Sequence, residues 1–243
     1  MIESLQLDGL RKRRFLLFAA ARPASLTRRQ TSHLLEVVSE DERERHHFVS
    51  DRFEREGFLL GRGLLRGLLG SLLNRDPGQL LLATSVHGKP YLIQKSRPLP
   101  FVQFNLSHCS SHVVIALSLY GEVGADVEVI RRHREATARR FASSEEFELL
   151  SSISDEQRDR VLTHLWVIKE ACLKAAGESL TFGMQRIPAS LDQSGEALGL
   201  SWQTFSLGLA ADAAVAVRLS AEGQEVASGC IRHLEIEEVL RDA

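Results

Sequence analysis

The most constraining feature of this sequence is a long helical pattern between residues 155 and 177. Ser154 and Gln157 have the spacing of a capping box at its start, and Gly177 is a residue type that commonly ends a helix. Apolar residues recur at helical spacing and predict one buried stripe: Val161, Leu165, Ile168, Cys172 and Ala175. One face of this helix should therefore pack on a core, which leaves a separate face for polar side chains.

Two further capping boxes predict other helices. Ser39 with Glu42 begins an earlier helical region, and Ser143 with Glu146 begins another just before the long pattern. A longer helix follows the first of them and ends before the turn sequence Asp76-Pro77-Gly78. Its apolar positions are Phe53, Leu60, Leu64, Leu68 and Leu72.

Short apolar runs between these helices are typical of strands. They cover residues 14–20, 101–106, 113–119, 123–130, 200–209, 213–219 and 226–234. Gly121-Glu122 separates the third run from the fourth, and the two are predicted to form a hairpin. The order of strand, helices, strands, helices and strands predicts an α+β protein of two halves that meet near Gly121. No strong internal sequence repeat accompanies this order.

Composition excludes several classes of protein. The formal net charge of the 243 residues is −2, so no strong global charge favours binding to nucleic acid or to a membrane. Three widely spaced cysteines do not form a disulfide framework or a zinc motif, and they fit a reducing cytosol. No secretion signal or apolar stretch of membrane-spanning length is evident, so we expect a cytoplasmic protein.

The acidic pair Asp126 and Glu128 is the first candidate for chemistry. On a strand the two carboxylates point the same way, while Ala125, Val127 and Val129 point to the core. An amphipathic strand with a solvated face would look the same. Two like charges on one face repel each other, however, and a divalent cation would relieve that repulsion.

Glu170 supplies a possible third carboxylate. Trp166, Glu170 and Lys174 fall on one arc of the predicted helix, away from its apolar stripe. The simpler interpretation is a surface Glu–Lys pair four residues apart. Three carboxylates without histidine or cysteine suit magnesium, which often shares its coordination with phosphate oxygens. No P-loop or GxGxxG motif is present, so the usual nucleotide folds are not supported.

Phosphate chemistry also needs cations and hydrogen-bond donors. Lys89 lies in a predicted turn, Gly88-Lys89-Pro90, from which its side chain can project. Ser107 and His108 are predicted to close the strand of residues 101–106, and both side chains can donate hydrogen bonds to phosphate. Taken singly, each could be an ordinary solvated loop residue.

Together these segments resemble, in order and spacing, the motifs of Sfp-type 4′-phosphopantetheinyl transferases. They are Gly88-Lys89-Pro90, Phe104-Asn105-Leu106-Ser107-His108, Gly124-Ala125-Asp126-Val127-Glu128 and Trp166-Val167-Ile168-Lys169-Glu170-Ala171-Cys172-Leu173-Lys174. The segments 60–66 and 141–146 also look like parts of that family, so the resemblance covers roughly residues 38–185. Ala125 stands where the family usually has a larger branched residue, a difference that concerns packing rather than chemistry.

The resemblance implies a pseudo-dimeric α+β fold, with halves of residues 1–121 and 122–243 and an active site in the cleft between them. The reaction would transfer phosphopantetheine from coenzyme A to a carrier-protein serine and release 3′,5′-ADP. Asp126, Glu128 and Glu170 would bind Mg²⁺. Glu170 would also act as the base, and Lys174 would stabilise the phosphates and leaving group. Coenzyme A would be bound by Lys89, Ser107, His108 and Lys174, with Arg45 as a further candidate.

The macromolecular partner implied by this resemblance is an acyl, aryl or peptidyl carrier protein. Such carriers are typically acidic, so a basic cluster could bind one, although a solvated helix face would explain it equally well. The cluster comprises Arg131, Arg132, His133, Arg134, Arg139 and Arg140. Two halves in one chain predict a monomer. A non-catalytic module that binds coenzyme A or a carrier, and an unrelated magnesium–phosphate enzyme, are the alternatives.

Overall fold

A computed structural model of the chain describes residues 7–86, 88–93, 101–132, 135–178, 183–220, 223 and 226–241. Its helices are α1 (Leu7–Arg11), α2 (Arg28–Val37), α3 (Glu40–Phe48), α4 (Arg52–Leu73), α5 (Glu135–Phe141), α6 (Ser144–Ser151), α7 (Asp155–Ala176) and α8 (Ile236–Arg241). Its strands are β1 (Leu16–Ala21), β2 (Leu82–Thr84), β3 (Pro90–Leu92), β4 (Gln103–His108), β5 (His112–Ser118), β6 (Val123–Val129), β7 (Ser194–Ala197), β8 (Leu200–Ser206), β9 (Ala211–Val217) and β10 (Cys230–Leu234). In these residues no helix combines the length and apolarity needed to cross a bilayer. The mixed α+β class predicted from the sequence is confirmed.

The first sheet has the strand order β10-β1-β5-β4, and β10 returns from the end of the chain to pair parallel with β1. One face of this sheet packs on α4. Phe18, Phe104 and Ile115 of the sheet share a core with Leu64 and Leu68 of the helix. The short hairpin of β2 and β3 forms a separate two-stranded sheet that follows α4 in the chain.

The second sheet is antiparallel, with the strand order β6-β9-β8-β7. Helix α7 covers one of its faces, where Leu165, Ile168 and Cys172 pack with Ala214 and Trp202. The helix begins at the Ser154 capping box and ends at Gly177 in the left-handed conformation. Both boundaries were predicted from the sequence.

The two sheets pack on each other through their remaining faces. Leu17 and Ala116 of the first sheet belong to the same buried cluster as Ala125, Val127 and Val215 of the second. The odd-numbered residues of β6 therefore point into the core, as the alternation of the sequence predicted. The layers run helix, sheet, sheet, helix.

The predicted hairpin of residues 113–119 and 123–130 is wrong. Strand β5 pairs with β1 and β4, whereas β6 pairs with β9 in the other sheet. The connecting Gly121 passes so close to the second sheet that a Cβ there would lie 1.6 Å from the Arg218 carbonyl oxygen. The glycine marks the crossing from one sheet to the other, and local sequence does not distinguish such a crossing from a tight turn.

Each of the two long helices carries a buried cation that binds a capping-box glutamate and two backbone carbonyls. Arg66 of α4 donates to Glu42, the capping-box residue of α3, and to the carbonyls of Pro77 and Leu80 beyond the helix. Lys169 of α7 donates to Glu146, the capping-box residue of α6. It also donates to two carbonyls beyond its helix, those of Met184 and Ile187.

Candidate active site

The site forms where α7 lies unusually close to β6. A Cβ on Gly124 would lie 2.1 Å from the Ala171 carbonyl oxygen and 2.4 Å from the Ala175 nitrogen, so only glycine fits there. This close approach brings the C-terminal turns of α7 onto the strand. Asp126, two residues further along the same face of β6, consequently lies within reach of Lys174.

Asp126 is the centre of the site. Its side chain is almost completely buried, which excludes the solvated strand face for this residue. The oxygen Oδ1 accepts hydrogen bonds from Ser107 Oγ at 2.8 Å and from Lys174 Nζ at 2.6 Å. The other oxygen, Oδ2, is buried and has no partner among the residues that the structure describes. A buried carboxylate oxygen without a donor is costly, and a bound cation would satisfy it.

Lys174 uses its three donors on three acceptors. Nζ donates to Asp126 Oδ1, to Ser107 Oγ at 3.2 Å and to the Ala125 carbonyl at 3.2 Å. The ammonium group thus lies against β6 and β4. A simple surface pair with Glu170 does not describe it, because its close contacts are all with those two strands.

Glu128 and Glu170 lie close enough to sense this group electrostatically. Burial raises the pKa of Glu128, and the neighbouring charge of Asp126 raises it further, while Arg131 and Lys174 oppose the shift. Burial likewise raises the pKa of Glu170, with Asp126 and Glu128 adding to the shift and Lys174 opposing it. The three predicted carboxylates therefore share one neighbourhood that disfavours their combined negative charge.

The donor chemistry of this neighbourhood fits a hard cation. Asp126, Glu128 and Glu170 offer only oxygen ligands, and the unpartnered Oδ2 of Asp126 is one of them. Throughout the described ranges, no three acidic, histidine or cysteine side chains form a ready-made metal cluster. The Lys174 ammonium binds Oδ1 of Asp126 and leaves Oδ2 for a cation.

Trp166 is partly covered, as expected for the polar arc of α7. Its ring packs edge-on against Phe141 with centroids 5.1 Å apart. Glu170 is one turn further along the helix. The aromatic contact joins α7 to the end of α5.

Lys89 contacts the start of β6 and the end of α7. Nζ donates to Glu122 Oε2 and the Val123 carbonyl at 3.0 Å, and to the Lys174 carbonyl at 3.2 Å. The side chain is only 17% exposed. The predicted projecting turn lysine is thus folded back onto the start of β6 and the end of α7.

His108 and Arg45 lie beside α4. Ser107 and His108 are inside β4 rather than after it, so their side chains occupy opposite faces of the strand. His108 Nε2 is 3.4 Å from Glu54 on α4, and the Arg45 guanidinium lies 5.1 Å from the ring of Phe58, one turn along. The structure brings together five of the predicted site residues: Ser107, Asp126, Glu128, Glu170 and Lys174. The side chains of Lys89, His108 and Arg45 make other contacts.

The basic cluster is only partly described, because His133 and Arg134 lie outside the described residues. Arg131 lies 3.9 Å from Glu128. Arg139 pairs with Glu135 at 2.6 Å and stacks over Phe147 with 4.5 Å to the ring centroid. The exposed arginines therefore extend from the edge of the site along α5.

Sequence reasoning gave no role to Asn105. Its side chain is buried, and Oδ1 accepts the Ala125 backbone N–H at 2.9 Å, which links β4 to β6 beside Asp126. The available signal was its position two residues before Ser107, because alternate residues of a strand share a face.

Two family models match the chain, one to each part. Residues 25–119 match the model described as "4′-phosphopantetheinyl transferase, N-terminal", and residues 122–222 match the "4′-phosphopantetheinyl transferase superfamily" model. The boundary between them falls beside Gly121, where the chain crosses from one sheet to the other.

Curated relatives agree with the models. The 4′-phosphopantetheinyl transferase psf-1 of Bacillus pumilus is 33% identical over 210 residues, which cover 82% of this chain and 87% of the relative. HetI of Nostoc sp. is 35% identical over 153 residues, 62% of this chain, and Sfp of Bacillus subtilis is 27% identical over 172 residues, covering 70% of this chain and 74% of Sfp. The match spans a little under two thirds of the cyanobacterial relatives' own length, 64% for HetI and 61% for a putative transferase of Synechocystis sp.. The chain belongs to the family of 4′-phosphopantetheinyl transferases.

Proposed function

We propose that the protein transfers the 4′-phosphopantetheine group of coenzyme A to a serine of an acyl or peptidyl carrier protein and releases 3′,5′-ADP. The observation that carries the proposal is the hydrogen-bonded group of Asp126, Ser107 and Lys174 with Glu128 and Glu170 beside it. Carboxylates that disfavour each other's charge, next to a lysine and a hydroxyl, suit phosphoryl transfer. Psf-1, HetI and Sfp are named for this transfer.

In the reaction, the carrier serine oxygen forms a bond to the phosphorus that bears the pantetheine. The bond from that phosphorus to the bridging oxygen of the pyrophosphate breaks, and 3′,5′-ADP leaves with the electron pair. Glu170 takes the serine proton, directly or through a water molecule. Its raised pKa makes the carboxylate a better proton acceptor than an ordinary glutamate. Lys174 supplies positive charge where negative charge develops on the phosphates.

Asp126, Glu128 and Glu170 are the residues that would hold magnesium. When bound, the cation would offset the charge of the pyrophosphate oxygens. The buried and unpartnered Oδ2 of Asp126 supports this assignment. Lys174 remains anchored by Ser107 and the Ala125 carbonyl if its contact with Asp126 weakens.

The remaining donors would bind coenzyme A. Ser107 lies next to Lys174, and His108 and Arg45 follow the face of α4 that carries Glu54 and Phe58. Lys89 would exchange Glu122, whose side chain is half exposed, for a phosphate. Arg45, Lys89 and His108 all belong to residues 1–121, whereas Lys174 belongs to residues 122–243, so a long anionic substrate would contact both parts of the chain.

Two related halves with the site in the cleft between them are part of this proposal. The division of residues 1–121 and 122–243 has support in the order of elements, since each half has a first strand, three helices ending in a 22-residue one, and strands that pair back. The equivalent buried cations of α4 and α7 also support it. A site assembled within one chain makes a second copy unnecessary, so we expect a monomer that acts in the cytoplasm.

The basic residues along α5 are the proposed contact for an acidic carrier. Arg131 begins this surface beside Glu128, and Arg140 is exposed on the same helix as Arg139. A carrier bound there would have its serine near the carboxylates. The alternative, a solvated helix face, predicts that charge removal leaves the KM for the carrier unchanged.

The test is direct turnover. The purified protein is mixed with an apo-carrier, coenzyme A and Mg²⁺, and intact mass spectrometry follows the carrier. The proposal expects a gain of one phosphopantetheine that depends on the metal and is lost in Asp126→Ala. A binding module of the same fold would instead bind coenzyme A in calorimetry without modifying any carrier, and an unrelated magnesium–phosphate enzyme would ignore carriers altogether.

A further inference from the structure

The edges of the two sheets meet at the active site without forming a β-ladder. Strands β4 and β6 belong to different sheets, yet side chains of β4 contact β6 directly. Along β6 the peptide groups alternate in direction. The Glu122 carbonyl bonds to Arg218 and the Ile130 N–H bonds to Ala210, at the two ends of β9. Even-numbered residues of β6 therefore direct their peptide groups towards β9. The N–H of the odd-numbered Ala125 points the other way, towards β4.

Asn105 provides the acceptor that this N–H requires. Its Oδ1 lies 2.9 Å from the Ala125 nitrogen, and the residue is 4% exposed. Water is thus not available to replace the amide oxygen, and an unsatisfied buried N–H would be costly. Asn105 therefore determines where the backbone before Asp126 lies.

Lys174 also holds this residue, because its Nζ donates to the Ala125 carbonyl. Two residues along β4 from Asn105, Ser107 donates to Asp126. Asn105 and Ser107 thus act like two rungs between strands, one on the backbone and one on the carboxylate. A shift of β6 relative to β4 would break both rungs and carry Asp126 away from Ser107.

We infer that Asn105 is a positioning residue for the proposed transfer, one that sets the register of β6 against β4 and thereby aims the carboxylate of Asp126. The inference rests on the proposed function, because it assigns Asn105 a part in that reaction. The amide suits this position, because it accepts a hydrogen bond without adding a fourth carboxylate near Asp126, Glu128 and Glu170.

The first experiment compares two variants, each of which removes the polar group of a buried side chain. Asn105→Ala removes the link to Ala125. Ser118→Ala is the matched control, since Ser118 is also fully buried and bonds to a distant carbonyl, that of Arg14, but away from the site. Both are assayed for carrier modification at a temperature where circular dichroism shows each to be folded.

Misplacing a reactive group by about 1 Å can cost on the order of 10²-fold in rate. We expect Asn105→Ala to lower kcat by roughly 10- to 100-fold, to raise the Mg²⁺ concentration for half-maximal rate, and to leave the KM for coenzyme A within about threefold. Ser118→Ala should keep the wild-type kcat. A wild-type kcat in Asn105→Ala, or an equal loss in both variants, would overturn the inference. Absence of turnover in the wild type would instead reject the proposed function.

A second measurement uses the wild-type protein and does not depend on whether a variant folds. Hydrogen–deuterium exchange of the wild-type protein, resolved to single amides, reports whether the Ala125 N–H is protected. Protection comparable to that of the β9-paired amides of β6 is expected. Exchange at the rate of an exposed loop amide would show that Asn105 does not hold this peptide and would overturn the inference.

Discussion

The regions before and after Gly121 each carry a 22-residue helix with a buried cation, but they differ in chemistry. Counting from the buried cation of each long helix, the residues one and five positions later are Gly67 and Ser71 in α4, and Glu170 and Lys174 in α7. The first strands differ in the same way. Strand β1 is apolar along its length, whereas β6 carries Asp126 and Glu128 on the face towards its helix.

This difference separates residues that build the fold from residues that could perform a reaction. In each region a capping-box glutamate binds the buried cation of the long helix: Glu42 binds Arg66, and Glu146 binds Lys169. Each cation also donates to backbone carbonyls that follow its helix. Asp126, Glu128, Glu170 and Lys174 belong to the C-terminal region. The matching positions of the N-terminal region carry no such charged side chains. Substitutions of the site residues in the C-terminal region should therefore cause large losses of activity. Substitutions of the buried cations should cause similar losses of stability in either region.

The largest expected effect is the loss of transfer in Asp126→Ala and in Glu128→Ala. Either change removes an oxygen ligand and disturbs the balance of charge around Lys174, so the rate should fall by roughly 10³-fold or more. Carrier modification followed by mass spectrometry across a magnesium titration measures it. Circular dichroism checks that the fold is retained. Wild-type rates at saturating magnesium in either variant would refute the metal assignment.

Glu170→Gln should slow transfer by about 10²- to 10⁴-fold at every magnesium concentration, because glutamine keeps an oxygen ligand but cannot take the serine proton. Coenzyme A binding, followed by calorimetry, should change little. Full recovery of the rate at high magnesium would leave Glu170 as a ligand only.

The same variant has a stability signature. The pKa of Glu170 is raised in the folded protein, so the wild type loses stability as the pH rises through that pKa. Without added metal, Glu170→Gln should therefore be at least as stable as wild type at pH 7, and its advantage should vanish below about pH 4. A less stable variant at pH 7 would contradict the burial of this acid.

The buried cations test the shared scaffold. Arg66→Met and Lys169→Met should each lower the free energy of unfolding, by about 3–5 kcal/mol, because each removes the buried cation that binds a capping-box glutamate. The loss at Arg66 should lie at the low end of this range, because Arg62 remains 3.7 Å from Glu42. Denaturant titration measures both. Closely matched losses would sharpen the comparison between the halves, and a loss confined to one of them would break it.

The smallest effect concerns substrate affinity. Lys89→Ala and His108→Ala should raise the KM for coenzyme A about tenfold while kcat at saturation changes much less, because these side chains would hold substrate far from the transferred phosphorus. Lys12→Ala removes an exposed surface lysine and is the control. A lower kcat with an unchanged KM would show that Lys89 acts through its contact with the Lys174 carbonyl instead.

The sequence by itself determined the local elements and the chemical character of the site. Capping boxes at Ser39, Ser143 and Ser154 fixed three helix starts, because a cap and its acceptor lie only three residues apart. The alternation of apolar and acidic residues along 123–129 likewise separated core residues from acids. This pattern is also local, because neighbours on one face of a strand are two residues apart.

Only the tertiary structure decided how these elements meet. The partner of β5, the passage at Gly121, the fold-back of Lys89 and the role of Asn105 all depend on contacts between residues distant in the chain. The sequence placed Glu170 and Lys174 one turn apart, yet Lys174 bonds to Asp126, 48 positions away. A hydrogen bond depends on distances below about 3.5 Å between atoms, and sequence spacing sets such distances within one helix or strand but not between two sheets.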